Sequence, residues 1–551
     1  PKDRLAVELD LAWWQSALEA IVNRNPAILQ YSASEIAKLE TEFERCASQL
    51  IEHGNQEVRD RLSNRWKSAI AKYPAQADKL RNLLRARELT LKSGYLESGP
   101  LWNALASAVL LSPYRLHELA KDEKFDVVII LDAASTAMAE ALPALTRASQ
   151  VITFGDPTLA LVEDFDTVAR ANQGHVAPKR EASHSAIAKR FGTMSIHHSY
   201  RTEGQVLGRY LNQNFYSDRL VLEPAAGQLF GSHNFEHVQI TEGAVATSTI
   251  EGATESMDAE VAKVVELVLN HARWTPEQSL CVVTASAVHA ERVEQAVAKA
   301  LKDQANLAEF FDAHGREKFQ VATMSQFTHR LADRVIFSVG FGRTPEGRIS
   351  GTLGDFNSEF ASHWMVSTIV SARKRLTVVS CYNFEDFAAG KLPDNQRWLK
   401  DLIAPSFLSD IRSGDPDPLL ADLSKRLQKL GFNVALNFGD RIGLAVSLGN
   451  RAAVVDADWA LKGQTWDEKL WLRPGLLKAM GWTYIRVHAL EIFAQPQDVA
   501  NRIAKQLGLD LERKAQPLFE EKAFEDTGRA WGDPDDSNDN RLNDERPPHW
   551  G

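Results

Sequence analysis

The spacing of apolar positions changes three times along this chain. Over the first hundred residues they recur at helical intervals, as in "LAWWQSALEAIVNR" and "EIAKLETEFERCASQLIEHG", with acids and bases between them. That periodicity predicts a packed helical arm, with Trp13 and Trp14 among its core residues. From Phe125 the grammar becomes short, nearly all-apolar runs alternating with helical stretches: "FDVVIIL", "MAEALPALTRA", "QVITFGD". A second series follows, with "LCVVTAS", "AVHAERVEQAVAKAL", "FQVATM", "DRVIFSVGF", "HWMVSTIVSARKR" and "LTVVSCYN". Such runs are those of parallel strands buried on both faces. Beyond Pro416 a helix, "LLADLSKRLQKLG", precedes three short strands separated by G-D and G-N turns, which predicts a meander of hairpins. A helix, "WLRPGLLKAMG", and a strand, "TYIRVHA", close this smaller α/β domain, and the polar, acidic, Pro-rich end reads as a tail.

Composition narrows the picture. At 551 residues the chain is too long for one core and predicts roughly three or four domains of about 150 residues. No apolar run reaches the ~20 residues that span a bilayer, so neither a membrane partner nor a membrane location is expected, and a cytoplasmic one is. Cys46, Cys281 and Cys381 lie far apart, without the spacing of a zinc site or a disulfide framework. The net charge of −10 argues against coating by nucleic acid but leaves local basic clefts open. The first residues are Pro-Lys-Asp, without Met, and the chain is expected to be the C-terminal part of a longer protein.

Two acids stand where α/β proteins place nucleotide chemistry. Asp132 and Asp156 follow predicted parallel strands, at the ends where helix amino termini favour phosphate and an acid can hold Mg²⁺. An Asp ending a strand also serves simply as a cap, and either reading fits one Asp alone. His197 and His198 are adjacent, so on a strand they would point to opposite faces and share no ligand. No G-x-x-x-x-G-K-[ST] occurs in the chain.

In order, "FDVVIILDAAST", "ASQVITFGDPTLAL", "SYRTEGQVLGRYLNQNFYSDRL", "VATMSQFTHRLADRVIFS" and "VSTIVSARKRLTVVS" resemble successive motifs of superfamily 1 helicases, over roughly residues 100–390. The whole looks most like large bacterial helicases that end in a nuclease-like module. The resemblance implies two RecA-like P-loop-type domains facing a cleft that holds Asp132, Ala133, Gly155, Asp156, Leu159, Arg201, Thr328, Ser371 and Arg373. It also implies losses. Where the family has Asp-Glu-Ala-Ser this chain has Asp132, Ala133, Ala134, Ser135; Leu159 replaces a γ-phosphate-contacting Gln. Thr328, His329, Arg330 and Leu331 replace Gln-Gly-x-Glu, and Val370, Ser371, Ala372 and Arg373 replace Thr-Arg-Ala-Arg, removing the arginine finger. A missing general base costs ~10²–10⁴-fold in rate, and a missing arginine finger ~10³–10⁵-fold. Weak ATP and Mg²⁺ binding is expected only with an upstream phosphate loop, and no other cofactor is expected.

Over about residues 415–508 the chain resembles very-short-patch-repair endonucleases, a branch of the PD-(D/E)xK fold. Asp456 and Asp458 end "AAVVDAD", while Gly443 stands where that fold has an acid on its middle strand to share a divalent metal. Neither a Lys in D-x-K spacing nor a nearby His follows, and a solvated strand end is the simpler account of both acids. Any metal would fall to Asp132, Asp456 or Asp458.

The resulting organisation is a helical arm over 1–98, the remainder of a first RecA-like domain over 99–190, a second over 191–400, a restriction-endonuclease-like domain over 412–510, and a tail over 511–551. The expected function is that of a degenerate helicase with an inactivated nuclease-like domain, a nucleic-acid-binding or assembly scaffold in DNA repair or defence, with DNA expected ahead of RNA. Two alternatives stand beside it: an active helicase or endonuclease completed by an upstream segment or a partner chain, and a protein-interaction platform that binds no nucleic acid.

Overall fold

The computed structural model describes residues 2–26, 32–119, 123–162, 180–199, 205–231, 234–248, 252–302, 304–312, 317–328, 330–349, 351–387, 392–404, 416–459 and 465–509. The chain is a mixed α/β protein with parallel sheets, and it divides into two compact units. The larger comprises Pro1–Ser413, Phe438–Arg441 and Gly463–Trp482; the smaller comprises Gly414–Asn437, Ile442–Lys462 and Thr483–Gly551. Among the described residues no helix is long and apolar enough to cross a membrane.

In the larger unit, helices Lys2–Arg24, Ala33–Lys72 and Pro74–Ala86 form the amino-terminal arm. The 40-residue helix starts sharply because Ser32 and Glu35 each accept the other's backbone N–H, closing a capping box. The arm's small core is Ala69, Leu80 and Leu101, with Tyr73 and Trp102 against it. Trp13 and Trp14 are not in it. Both are mostly exposed and meet each other edge to face at 4.8 Å, since consecutive helical residues point about 100° apart and cannot both face one core.

Strands β1 (Phe125–Ile130) and β2 (Ala148–Thr153) pair in parallel, linked through helix Met138–Leu145. This helix packs on the pair, leaving Val128 and Ile130 half-buried. The alternate residues belong to the other face. There Val127, Ile129, Leu131, Ile152 and Phe154 are exposed, Ile129 by 54% and Leu131 by 61%. Among the described residues, the apolar run therefore makes a strand without the two-sided burial it predicts, because it is met by β2 and by helix Met138–Leu145 on one face.

The second sheet has that burial. Its strands are β3 (Phe235–Gln239), β4 (Leu280–Thr284), β5 (Gln320–Thr323), β6 (Ala332–Ser338) and β7 (Ala372–Ser380). All pairings are parallel, in the order β3-β7-β6-β4-β5. Period-two alternation splits each strand between two cores. Leu280, Val282, Ile336 and Val379 meet Val261, Val264 and Val268 of helix Asp258–Trp274 and Val293 and Val297 of helix Ala287–Leu301. Cys281, Val283, Phe337, Leu376 and Val378 meet Tyr210 and Leu211 of helix Gln205–Phe215, Met365 and Ile369 of helix Ala361–Ser371, and Leu399 and Leu402 of helix Asp394–Ile403. Each such side chain contributes ~1.5–3 kcal/mol by leaving water.

The smaller unit is built on β8 (Asn433–Phe438), β9 (Ile442–Leu448), β10 (Arg451–Ala457) and β11 (Thr483–Val487), in the order β11-β10-β9-β8. Strands β9 and β10 are antiparallel, and β10 and β11 parallel. Helices Pro418–Lys429 and Pro496–Gln506 supply Leu420, Leu423, Leu427, Val499 and Ile503 to its core.

Candidate functional sites

Parallel pairing sets Ile130 opposite Thr153, so β1 and β2 run out at the same end and bring Asp132–Ala134 beside Gly155 and Asp156. Gly155 is required by that approach: a Cβ there would lie 2.8 Å from the Ala134 nitrogen. Asp132 is exposed, and its carbonyl accepts hydrogen bonds from the amides of Ser135 (3.1 Å) and Thr136 (3.0 Å), making a turn. Ala133 is wholly buried. Its N–H donates to the Phe154 carbonyl at 2.9 Å, and its carbonyl accepts from the His184 amide at 2.9 Å and from Ser183 Oγ at 3.0 Å. The backbone at the position that resembles the catalytic acid's is thus fastened on both sides around a fully buried methyl group.

Asp156 is held from two sides. Its Oδ1 accepts from the Thr158 amide at 2.9 Å, and its Oδ2 from the Tyr216 hydroxyl at 2.6 Å. His363 belongs to the same neighbourhood: burial lowers its pKa, opposed by a hydrogen bond to the Thr158 backbone and by the charge of Asp156. The Nδ1 atoms of His184 and His363 are buried without a hydrogen-bond partner among the described residues. Leu159 turns away from this polar group and packs on the core of the second sheet.

The remaining residues of the helicase comparison are placed differently. Arg201 lies outside the described residues. Thr328 is half-buried after β5. Ser371 is buried, its hydroxyl donating to the Thr368 carbonyl at 2.6 Å within its own helix. Arg373 donates to Glu317 through both terminal nitrogens and to Asp333 Oδ1 through Nε at 3.1 Å. Those hydrogen bonds, with one from Ser279, hold the Glu317 carboxyl at about 2. Asp333 is the second residue of β6 and Arg373 the second of β7. Arg373 is therefore engaged at the amino-terminal ends of its sheet, whereas Asp132 and Asp156 follow the carboxyl ends of theirs.

His197 and His198 both line one open cleft of about 580 Å³, with Ser195, Ile196, Arg219, Val221 and Glu468. The segment is not a regular strand: a single bridge joins His198 to Val221, so strict alternation does not apply.

In the smaller unit, a Cβ on Gly443 of β9 would meet Leu420 Cδ1 at 2.7 Å. The space beside Gly443, where the resemblance would have an acid, is filled by an apolar side chain from helix Pro418–Lys429. Asp456 is not a solvated strand-end acid, whereas Asp458, just past the end of β10, keeps a third of its side chain exposed. Asp456 is only 4% exposed, stands opposite Arg486 in the β10–β11 register, and accepts from the Tyr484 hydroxyl at 2.9 Å. Burial first, then the Asp456 charge, pushes the Tyr484 phenol well up. Asp458 pairs with His488 Nδ1 at 3.1 Å and accepts from the Ala489 amide at 3.2 Å. Burial raises its pKa, but the hydrogen bonds from His488 and Ala489 and the nearby positive charge outweigh this and lower it overall. His488, which lies 30 positions on, is brought to Asp458 by the parallel pairing of β11 with β10. Among the described residues no group of three or more His, Cys, Asp or Glu side chains is arranged to hold a metal ion.

No protein-family model matches this chain, and no curated protein matches it.

Proposed function

We propose that this chain is a degenerate superfamily 1 helicase-like protein with an inactivated nuclease-like domain, serving as a nucleic-acid-binding or assembly scaffold in DNA repair or defence. On this reading β1 and β2 belong to a first RecA-like domain, the five-stranded parallel sheet is the second, and the smaller unit is the nuclease-like module. The observation that carries it is Ala133. A motor needs an ionised acid here to orient or deprotonate water, and the residue present is a sealed methyl. Leu159 packed into a core and Arg373 engaged by Glu317 and Asp333 support the same conclusion. Measuring phosphate release from ATP by the full chain, with and without single-stranded DNA, tests it. Background rates are expected, and turnover near the ~1 s⁻¹ of working enzymes would overturn the reading.

An assembly role has its own observation, the exposed apolar face of Ile129, Leu131, Ile152 and Phe154. Patches of this kind mark contact surfaces. Salt-titrated DNA binding separates the two scaffold roles: affinity falling steeply with salt reports phosphate contacts, while absence of binding at low salt leaves the assembly platform.

A further inference from the structure

A chain of buried polar side chains runs beside the apolar cores of the second sheet of the larger unit. Glu260, in the first turn of helix Asp258–Trp274, has its Oε1 2.6 Å from Ser338 Oγ and accepts there from the Gly340 amide (2.8 Å). Ser338 Oγ is also 2.8 Å from His289 Nε2, and His289 Nδ1 is 2.9 Å from Ser256 Oγ. Cys381 Sγ donates to Glu260 Oε2 at 3.5 Å. Five elements contribute: the turn before one helix, the first turns of two helices, and the carboxyl ends of β6 and β7. Every member is buried, Glu260, His289 and Ser338 completely. Gly340, at φ +77°, is fixed by this packing, since a Cβ there would strike the His289 ring at 2.8 Å.

Serine, histidine and glutamate are the residue types of acyl transfer. Here the carboxylate meets the serine rather than His289 Nδ1, and no substrate can reach atoms that are fully enclosed. The cluster's chemistry is proton placement instead. A lone carboxylate or imidazolium in such a site loses its hydration. The cations closest to it are committed elsewhere: Arg292 donates to the Ser256 carbonyl and to Asp258, and Arg343 pairs with Asp386 at 3.1 Å. Glu255 is taken by Ser286.

We propose that folding moves one proton within this cluster, from His289 to Glu260, so that the folded domain holds a carboxylic acid and a neutral imidazole joined through Ser338. The Ser338 hydroxyl is placed to receive the acid's proton while donating its own to Nε2, leaving Nδ1–H to donate to Ser256. Burial, outweighing the hydrogen bonds from Ser338, the Gly340 amide and Cys381 that favour the carboxylate, raises the Glu260 carboxyl to about 7, and burial with the Arg292 charge lowers the His289 imidazole to about 4, which agrees with this arrangement. In the unfolded chain between pH 4.5 and 6.5 the proton sits on the histidine instead, and the total is the same in both states.

The consequence is a hidden compensation. A raised carboxyl favours folding at low pH and loses that contribution as pH rises through about 7. A lowered imidazole favours folding at high pH and loses that contribution as pH falls through about 4. The two slopes cancel across pH 4.5–6.5, so removing either partner exposes the other.

The experiment is native-state hydrogen exchange on the full chain, following peptides over β6 and β7 and correcting for the intrinsic pH dependence of exchange. Wild type is expected to keep its opening constant within about threefold from pH 4.5 to 6.5. Glu260→Gln is expected to open less as pH rises, approaching tenfold per unit, and His289→Gln to open more. Two flat variants would overturn the proposal. Infrared spectroscopy of wild type, which needs no variant to fold, locates the proton: a protonated-acid carbonyl band at pH 6 that is lost above pH 8 is expected, and an ionised carboxylate at pH 6 would overturn it.

Discussion

Strands β1 and β6 are written in the same alphabet and live in different environments. "FDVVII" and "ADRVIFS" are both short and apolar, and both pair in parallel. Yet Val335, Phe337 and Ser338 are completely buried, while Val127 and Ile129 stand open to water. What differs is the number of neighbours. Strand β6 lies between β4 and β7 with helices on both faces, whereas among the described residues β1 has one strand and one helix against it. Apolar spacing therefore predicts a strand, and burial follows from how many further elements the fold brings to it.

The largest effect expected is in the buried sheet. Phe337→Ala removes a ring packed against Phe356 from a fully buried site and should cost about 3–5 kcal/mol. Hydrogen exchange of β6 and β7 peptides would report it, and a loss under 1 kcal/mol would mean this core is less tightly packed than its burial indicates.

Ala133→Glu sharpens the comparison at the end of β1, because that residue is sealed even though its strand is open. A glutamate there must displace the Ser183–His184 turn or bury an unpaired charge, for about 3 kcal/mol of lost stability. Exchange of peptides over 125–137 should rise with no gain in ATP hydrolysis. A stable, ATP-hydrolysing variant would instead mark the site as an interrupted motor.

The ion pairs at the amino-terminal ends of β6 and β7 carry a smaller, pH-dependent effect. Glu317 titrates at about 2, below the ordinary 4.5, so its contribution is present above pH 4.5 and is lost as pH falls toward 2. About a third of this side chain is exposed, and solvent screening reduces the effect to roughly 1 kcal/mol. Glu317→Gln should flatten acid unfolding of the second sheet between pH 4.5 and 2, and an unchanged profile would remove Arg373–Glu317 from the account.

The parts legible in the sequence are those written locally. Helix Ala287–Leu301 follows from apolar residues at helical spacing, and strands β4, β9 and β10 from short apolar runs bounded by turn residues. The polar partners were not legible, since each depends on chain reversals with no local mark. Tyr216 reaches Asp156 across 60 positions, Arg373 reaches Glu317 across 56, and His488 reaches Asp458 across 30. Gly443 could be read as a missing acid, but Leu420 occupying its space comes from a helix 23 positions earlier.

The smallest expected effect tests the open face itself. Ile129 lies next to the last residue of β1, and in a buried parallel strand a lysine there would be ruinous, since it would carry an unpaired charge into the core. At 54% exposure the ammonium can reach water along its own stem, and the strand keeps all its backbone bonds to β2. Ile129→Lys should therefore change stability by no more than about 0.5 kcal/mol. If the open face is a contact surface, the same change should abolish association there, so the pair of readouts is informative where either alone is not. Unchanged stability with weaker association, measured by sedimentation across a range of concentrations, would support the assembly role. A loss approaching that of Phe337→Ala would show that β1 is covered in solution, and the contrast between the two sheets would then be one of what each meets rather than of how each is built.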